Sequence, residues 1–243
     1  MLGGPEVVRV VLNSSSMLLL CSGPEDVRVV FHSSSSMPLS LWLVPDQPSQ
    51  RALQDKIKGL ATAHGLPDFK AHLTLIGTLD DTPEEAMRKL QRLRASGVVP
   101  VTFNAVVAGR FPDDHERAGK VPWSQSAAAC AEESPELLCI KRLADSVYTG
   151  WAEPSSPLGS ASEGNHVPAV WAPPLGRPHV SLAYGNDPSI CEDIEVPKPI
   201  CCDAVAVFDC TPATAEGSTE WKEIARVSLH YDPVGTPRVS MRA

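Results

Sequence analysis

Two stretches decide the fold, Phe69-Lys70-Ala71-His72-Leu73-Thr74-Leu75-Ile76-Gly77 and Arg177-Pro178-His179-Val180-Ser181-Leu182-Ala183-Tyr184-Gly185. Each places a hydroxyl residue two positions after a histidine, inside an apolar run of strand length. In a strand, residues i and i+2 point to one face and i+1 to the other. His72 and Thr74 therefore project together with Leu73 and Leu75 behind them, and His179 and Ser181 do the same in front of Val180 and Leu182. A third pair with this spacing, His32 and Ser34, runs into the serines Ser33 to Ser36 and lacks the apolar frame.

The elements around the two stretches repeat. Leu39 to Val44 reads as a strand ended by Pro45, and Ser49 as the cap of a helix carrying Leu53, Ile57, Leu60 and Ala61, stopped at Gly65. The strand Ala71 to Gly77 follows. Thr82-Pro83-Glu84-Glu85 then opens a helix as a capping box with proline at the first helical position, and Val99 to Val107 is a further strand. The order recurs with a strand over Trp123 to Ala131, a helix opened by Ser134-Pro135-Glu136, and the strand Pro178 to Tyr184. A short helix near Pro188 to Ile194 and the strands Cys201 to Cys210 and Trp221 to Tyr231 complete it. Strand, helix, strand, helix, strand, given twice, predicts an α+β fold of two pseudo-equivalent lobes. A fold that pairs the halves brings both histidine/hydroxyl couples to one cleft.

Two segments stand outside this pattern. Gly4-Pro5-Glu6-Val7-Val8-Arg9-Val10-Val11 recurs as Gly23-Pro24-Glu25-Asp26-Val27-Arg28-Val29-Val30, which marks residues 1–36 as a duplicated extension, weakly structured or an extra hairpin. The stretch Glu153 to Arg177 is rich in Pro, Ser and Gly. A loop of that length in a compact domain is a lid, an insertion or disordered. The predicted folded domain spans residues 37–231, with 232–243 as a tail.

Composition narrows the partners. The chain has 243 residues, 23 of them proline, about twice the usual share of roughly 5%, which implies short elements and long loops. Its net charge is −8 and no run of four basic residues occurs, a poor basis for gripping a long nucleic acid. Apolar stretches reach about half a dozen residues, far short of the roughly 20 that span a bilayer, so no membrane contact is expected; a monomer in the cytoplasm is the further expectation. The 7 cysteines show neither zinc spacing nor a disulfide framework and are expected to be reduced thiols.

The doublet Ala71-His72-Leu73-Thr74-Leu75 and Pro178-His179-Val180-Ser181-Leu182 resembles the 2H phosphoesterase superfamily. Within it, Leu41-Trp42-Leu43-Val44-Pro45, the run Pro178 to Gly185 and Trp221-Lys222-Glu223-Ile224 are similar to the cyclic phosphodiesterases of plants and fungi. The resemblance covers roughly Met37 to Tyr231. It implies a bilobal α+β fold, with antiparallel sheets flanked by helices around a central cleft. It also implies hydrolysis of cyclic phosphates without metal or other cofactor. The substrates implied are ADP-ribose 1″,2″-cyclic phosphate, a product of tRNA splicing, and nucleoside 2′,3′-cyclic phosphates.

Opening such a ring needs a base for water and an acid for the leaving oxygen, and two imidazoles near pKa 6.5 can divide those roles. His179 is assigned the base and His72 the acid, an order that spacing alone does not dictate. By the resemblance, Thr74 and Ser181 donate to the phosphate oxygens. Trp42 either stacks on a base or ribose or sits in the core. Trp171 either closes over substrate or belongs to the loop. Tyr184 alternates away from His179 and reaches the cleft only if the strand bends near Ala183. The alternatives are a 2H phosphoesterase acting on RNA ends or 2′,5′-linked oligonucleotides, and a nucleotide-binding protein without turnover.

Overall fold

A computed structural model of the protein describes residues 7–12, 15–21, 27–31, 38–109, 125–150, 177–185, 187–191 and 193–230. The predicted loop Glu153 to Arg177, with Trp171, lies outside these residues except for Arg177, as do Trp123 at the head of a predicted strand and the tail 232–243. The chain forms two compact units, Met1–Ser36 and Met37–Ala243. In the first, β1 (Val7–Leu12), β2 (Ser15–Cys21) and β3 (Val27–Phe31) make an antiparallel meander. The two copies of the Val-Arg-Val-Val repeat form its outer strands β1 and β3.

The second unit is built on one eight-stranded antiparallel sheet. Its strands are β4 (Leu39–Pro45), β5 (Leu73–Leu79), β6 (Val101–Phe103), β7 (Ala105–Gly109), β8 (Gln125–Ala131), β9 (His179–Tyr184), β10 (Ile200–Asp209) and β11 (Lys222–Ser228). They run in the order β11-β10-β4-β5-β9-β8-β7, with β6 paired to the start of β10. Every position of β4, β8 and β9 is buried, as expected of short apolar strands covered on both sides. Three helices flank the sheet. α1 (Gln47–His64) packs on β4, β9 and β10, α2 (Pro83–Ala95) on β10 and β11, and α3 (Pro135–Thr149) on β5, β6 and α2. Leu53, Ile57, Leu90, Leu93 and Leu137 are the largest fully enclosed helix side chains, each worth about 1.5–3 kcal/mol of burial. None of the described helices is long and apolar enough to cross a membrane.

Several boundaries depart from the sequence reading for local reasons. Asp46, not Ser49, caps α1, because its carboxylate reaches forward to accept from the Ser49 N–H at 2.9 Å. The Ser49 hydroxyl is used elsewhere, accepting from the Cys201 N–H at 3.0 Å and tying the helix start to β10. The predicted strand Val99 to Val107 is two strands, broken at Asn104. β6 joins β10 while β7 crosses to β8, and the Asn104 carbonyl turns to accept from Glu132 N–H at 2.9 Å. The predicted helix near Pro188 is a single 3₁₀ turn over Pro188–Cys191.

The two halves meet at one place. β5 and β9 pair through Leu73 and Val180, the middle residues of the two histidine/hydroxyl motifs. Counting antiparallel register from that pair, His72 stands opposite Ser181 and Thr74 opposite His179. Each histidine thus faces the other motif's hydroxyl, an arrangement close to two-fold symmetric.

β8 and β9 carry two compensating irregularities. Gln125 lies opposite Tyr184 and Ala127 opposite Ala183, which makes Ser126 an extra residue on β8. Ala128 then lies opposite Ser181, which makes Leu182 an extra residue on β9. The first irregularity explains Gly185. A Cβ there would stand 2.8 Å from the hydroxyl oxygen of the fully buried Ser126, too close for contact. Gly185→Ala is expected to cost about 1–3 kcal/mol, the usual scale of overpacking. The double variant Gly185→Ala, Ser126→Ala should recover most of it in chemical denaturation. A double variant no more stable than the single one would place the clash elsewhere.

Candidate active site

The strands that meet at Leu73 and Val180 line a cavity of about 90 Å³. Ser40 and Trp42 come from β4, His72 and Thr74 from the head of β5, Gln125 from β8, and His179, Ser181 and Tyr184 from β9. Both predicted couples therefore open on one space. Among the described residues that line it there is no Lys, Arg, Asp or Glu. Nor do three His, Cys, Asp or Glu side chains converge as metal ligands anywhere among the described residues. Its polar groups are imidazoles, hydroxyls, one amide and the thiol of Cys210, which burial pushes up to about 12 with Asp209 adding to the effect, so the thiol is neutral.

The two histidines are held alike. His72 Nδ1 lies 2.7 Å from the Lys70 carbonyl and His179 Nδ1 lies 2.8 Å from the Arg177 carbonyl, two residues back in each case. A carbonyl only accepts, so both Nδ1 atoms carry hydrogen and both Nε2 atoms are the proton-transfer atoms of the neutral rings. His72 is 4% exposed and His179 8%. Burial lowers His72 to about 4, against a smaller upward pull from the Lys70 carbonyl and a further downward push from His179. Burial likewise lowers His179, with the Arg177 carbonyl opposing and its guanidinium adding. The mutual repulsion means that a proton on one ring disfavours a proton on the other.

His72 owes its place to a stack across three adjacent strands. Trp42 on β4 lies against the His72 ring at 3.5 Å and 8°, and against Phe208 on β10 at 3.7 Å and 18°. Since β5 and β10 flank β4 on opposite sides, the two contacts use opposite faces of the indole. The indole N–H donates to Ser40 Oγ at 2.8 Å, and the Ser40 hydroxyl donates to the Ile76 carbonyl at 2.9 Å. Trp42 is 2% exposed. With both faces covered it has none to offer a base or ribose, so its predicted stacking on substrate is corrected to a role in holding His72.

Tyr184 does line the cavity. The irregularity at Leu182 resets the alternation of β9, so Tyr184 returns to the face that carries His179 and Ser181. Its ring leans on Phe69 at 4.2 Å, its hydroxyl hydrogen-bonds the Ser181 side chain, and burial raises its pKa far above the ordinary tyrosine value. Gln125 was not singled out by sequence reasoning. Its amide nitrogen lies 3.0 Å from His179 Nε2 and 2.7 Å from Ser181 Oγ. The only signal for it was a polar residue heading the otherwise small and apolar strand Gln125-Ser126-Ala127-Ala128-Ala129-Cys130-Ala131. Trp221 also borders the cavity, its indole N–H donating to the Pro212 carbonyl at 2.9 Å.

Residues 37–227 match the family described as cyclic phosphodiesterase-like protein. No curated protein matches the chain at a meaningful level. Similar solved structures include E. coli LigT complexed with NADP+, at 14% identity and TM-score 0.44 over 80% of this chain and 98% of that one. LigT complexed with phosphate matches at 15% and 0.43 over 81% and 100%. TT0787 of Thermus thermophilus matches at 17% and 0.42 over 79% and 98%.

The lowered imidazole has a consequence for stability. An unfolded histidine takes up its proton near pH 6.5 and folded His72 only near 4, so between these values the unfolded chain holds the extra proton and stability falls as pH falls. Between pH 7 and 4 the wild type should lose roughly 3 kcal/mol more than His72→Gln, read from urea midpoints. Equal losses would show that His72 is not the titrating group.

Proposed function

The chain belongs to the cyclic phosphodiesterase-like family of 2H phosphoesterases, enzymes acting on phosphodiesters, and from that premise we propose that this cavity opens cyclic phosphodiesters with water. The observation that carries the reading is the convergence of two imidazoles, each with Nδ1 tied to a backbone carbonyl, beside Thr74 and Ser181. With water displacing the Gln125 amide from His179 Nε2, that nitrogen takes a proton from the water as the water oxygen bonds to phosphorus. His72 Nε2 gives a proton to the ring oxygen whose bond to phosphorus breaks. A nucleoside 2′,3′-cyclic phosphate is thereby opened to the 2′-phosphate, and ADP-ribose 1″,2″-cyclic phosphate to the 1″-phosphate.

His72 suits the acid because its ring lies flat on an indole face, where a cation is favoured. The anionic phosphate supplies the rest of the counter-charge, raising an imidazole that the empty site keeps neutral. Thr74 and Ser181 donate to the non-bridging oxygens as charge builds on them. The site thus handles an anion with neutral donors and one shared proton, in keeping with a net charge of −8. We assign turnover to the unit from residue 37 onward, so removal of residues 1–36 should leave it intact.

The test is hydrolysis of a nucleoside 2′,3′-cyclic phosphate and of ADP-ribose cyclic phosphate in excess chelator. Activity should persist, and His72→Ala and His179→Ala should each lower it by at least about 10²-fold. Full activity in either variant would remove that histidine from the pair, and loss with chelator would refute the metal-free step. The pH dependence adds a signed prediction. The profile of kcat/KM reports the free enzyme, whose imidazoles are lowered, and that of kcat reports the complex, where the phosphate raises them. The kcat optimum should therefore lie at higher pH than the kcat/KM optimum, and the reverse order would contradict the role given to the phosphate.

A further inference from the structure

Gln125 heads β8 with its side chain enclosed at 6% exposure. Its amide nitrogen serves both His179 Nε2 and Ser181 Oγ, while its carbonyl oxygen Oε1 is buried without a hydrogen-bond partner among the described residues. The tautomer of His179 explains half of this. Nδ1 donates to the Arg177 carbonyl, so the neutral ring presents a bare Nε2, and one amide N–H supplies its donor. The second N–H goes to Ser181 Oγ. Nothing in this state uses Oε1, and buried acceptors left without a donor are rare in folded proteins.

A proton on His179 reverses the demand. Nε2 then carries hydrogen, and the amide N–H facing it sets donor against donor. The terminal amide torsion of glutamine is broad and roughly two-fold. A half-turn about it exchanges the two ends, so that Oε1 can accept from both the His179 Nε2–H and the Ser181 hydroxyl.

We propose that Gln125 is a positioning residue whose amide reverses with the proton on His179, donating to the neutral ring and to Ser181 in one state and accepting from both in the other. The proposal deepens the reading of His179 as a proton carrier and rests on it. Its consequence lies at Ser181. While His179 is neutral, the serine oxygen accepts from Gln125, and its hydrogen, shared with the Tyr184 oxygen, can turn to a phosphate oxygen in the cavity. Once His179 is charged, that hydrogen is drawn to Oε1 and the grip on phosphate loosens, so the site holds substrate before proton transfer and releases product after it.

The titratable groups around the pair are His72 from the head of β5, Tyr184 on β9 itself, Cys210 beyond β10, Cys130 opposite His179 on β8, and Arg177 two residues before His179. Burial keeps Tyr184, Cys210 and Cys130 neutral. Arg177, the standing charge, and His72, the group that can gain one, therefore compete with Gln125 for control of His179.

The test uses the full chain with ¹⁵N-labelled histidine and follows the His179 ring nitrogens through a pH titration in the wild type, Gln125→Glu and Gln125→Met. A carboxylate accepts from the charged ring and has nothing to donate to the neutral one, so Gln125→Glu should raise the midpoint by at least about one unit. Methionine offers neither bond, and if the native amide serves both states the two losses offset and the midpoint stays within about half a unit of wild type. A fixed amide would stabilise only the neutral ring, so a rise of about one unit or more in Gln125→Met would overturn the reversal. An unmoved midpoint in Gln125→Glu would overturn the contact itself. Should either variant fail to fold, the wild-type Gln125 side-chain amide signals, read from chain labelled with ¹⁵N-glutamine as well, decide. They should move with the His179 midpoint, and signals that stay flat through it would refute the proposal. None of these readings requires turnover, so failure of the phosphodiesterase assignment and failure of this one are seen separately.

Discussion

The site depends on the pairing of Leu73 with Val180. One register pair joins two half-sheets, and because both residues are the middle members of His-x-hydroxyl motifs, closing that pair sets all four polar side chains at once. A slip of one residue would send His179 and Ser181 to the face now held by Val180 and Leu182. Both apolar residues are fully buried, as are Leu73 and Leu75, so such a slip exchanges core for cavity along the whole strand. The register is thus enforced by hydrophobic burial behind the site rather than by any bond within it.

This division explains what could be read in advance. The two couples were legible because they follow the strict two-residue period of a strand framed by apolar neighbours, α1 through its apolar spacing, and α2 and α3 through the caps at which they begin. Tyr184 was legible only conditionally, since its direction depends on an extra residue in β9, and a bulge leaves no periodic mark. Trp42 stayed open between stacking and core because its partners, His72 and Phe208, are distant in sequence and meet it only across neighbouring strands. Gln125 was missed altogether. A single amide at the head of an alanine-rich strand announces itself only when the strand opposite it is known to carry His179 and Ser181.

The electrostatics of the cavity follow from the same burial. Two imidazoles enclosed by aromatic and aliphatic neighbours stay neutral in the empty site, and each depends on a backbone carbonyl for its tautomer. An arrangement that avoids fixed charge avoids the desolvation cost of burying it, and leaves the ligand's own charge to set the proton count. In that respect the acidic character of the chain and the neutrality of the cavity are compatible rather than opposed.

The break at Asn104 bears on how the cleft can move. β6 is bound to the half-sheet of β10 and β4, β7 to the half-sheet of β8 and β9, and a single residue separates them. The half-sheets are therefore joined by the Leu73 and Val180 pair, by continuous backbone at this crossing and by α1, which packs on β4, β9 and β10. Such ties leave little freedom for a clamshell opening. With the half-sheets tied in this way, a ligand is selected by fitting the gap between them rather than by drawing two jaws together around itself.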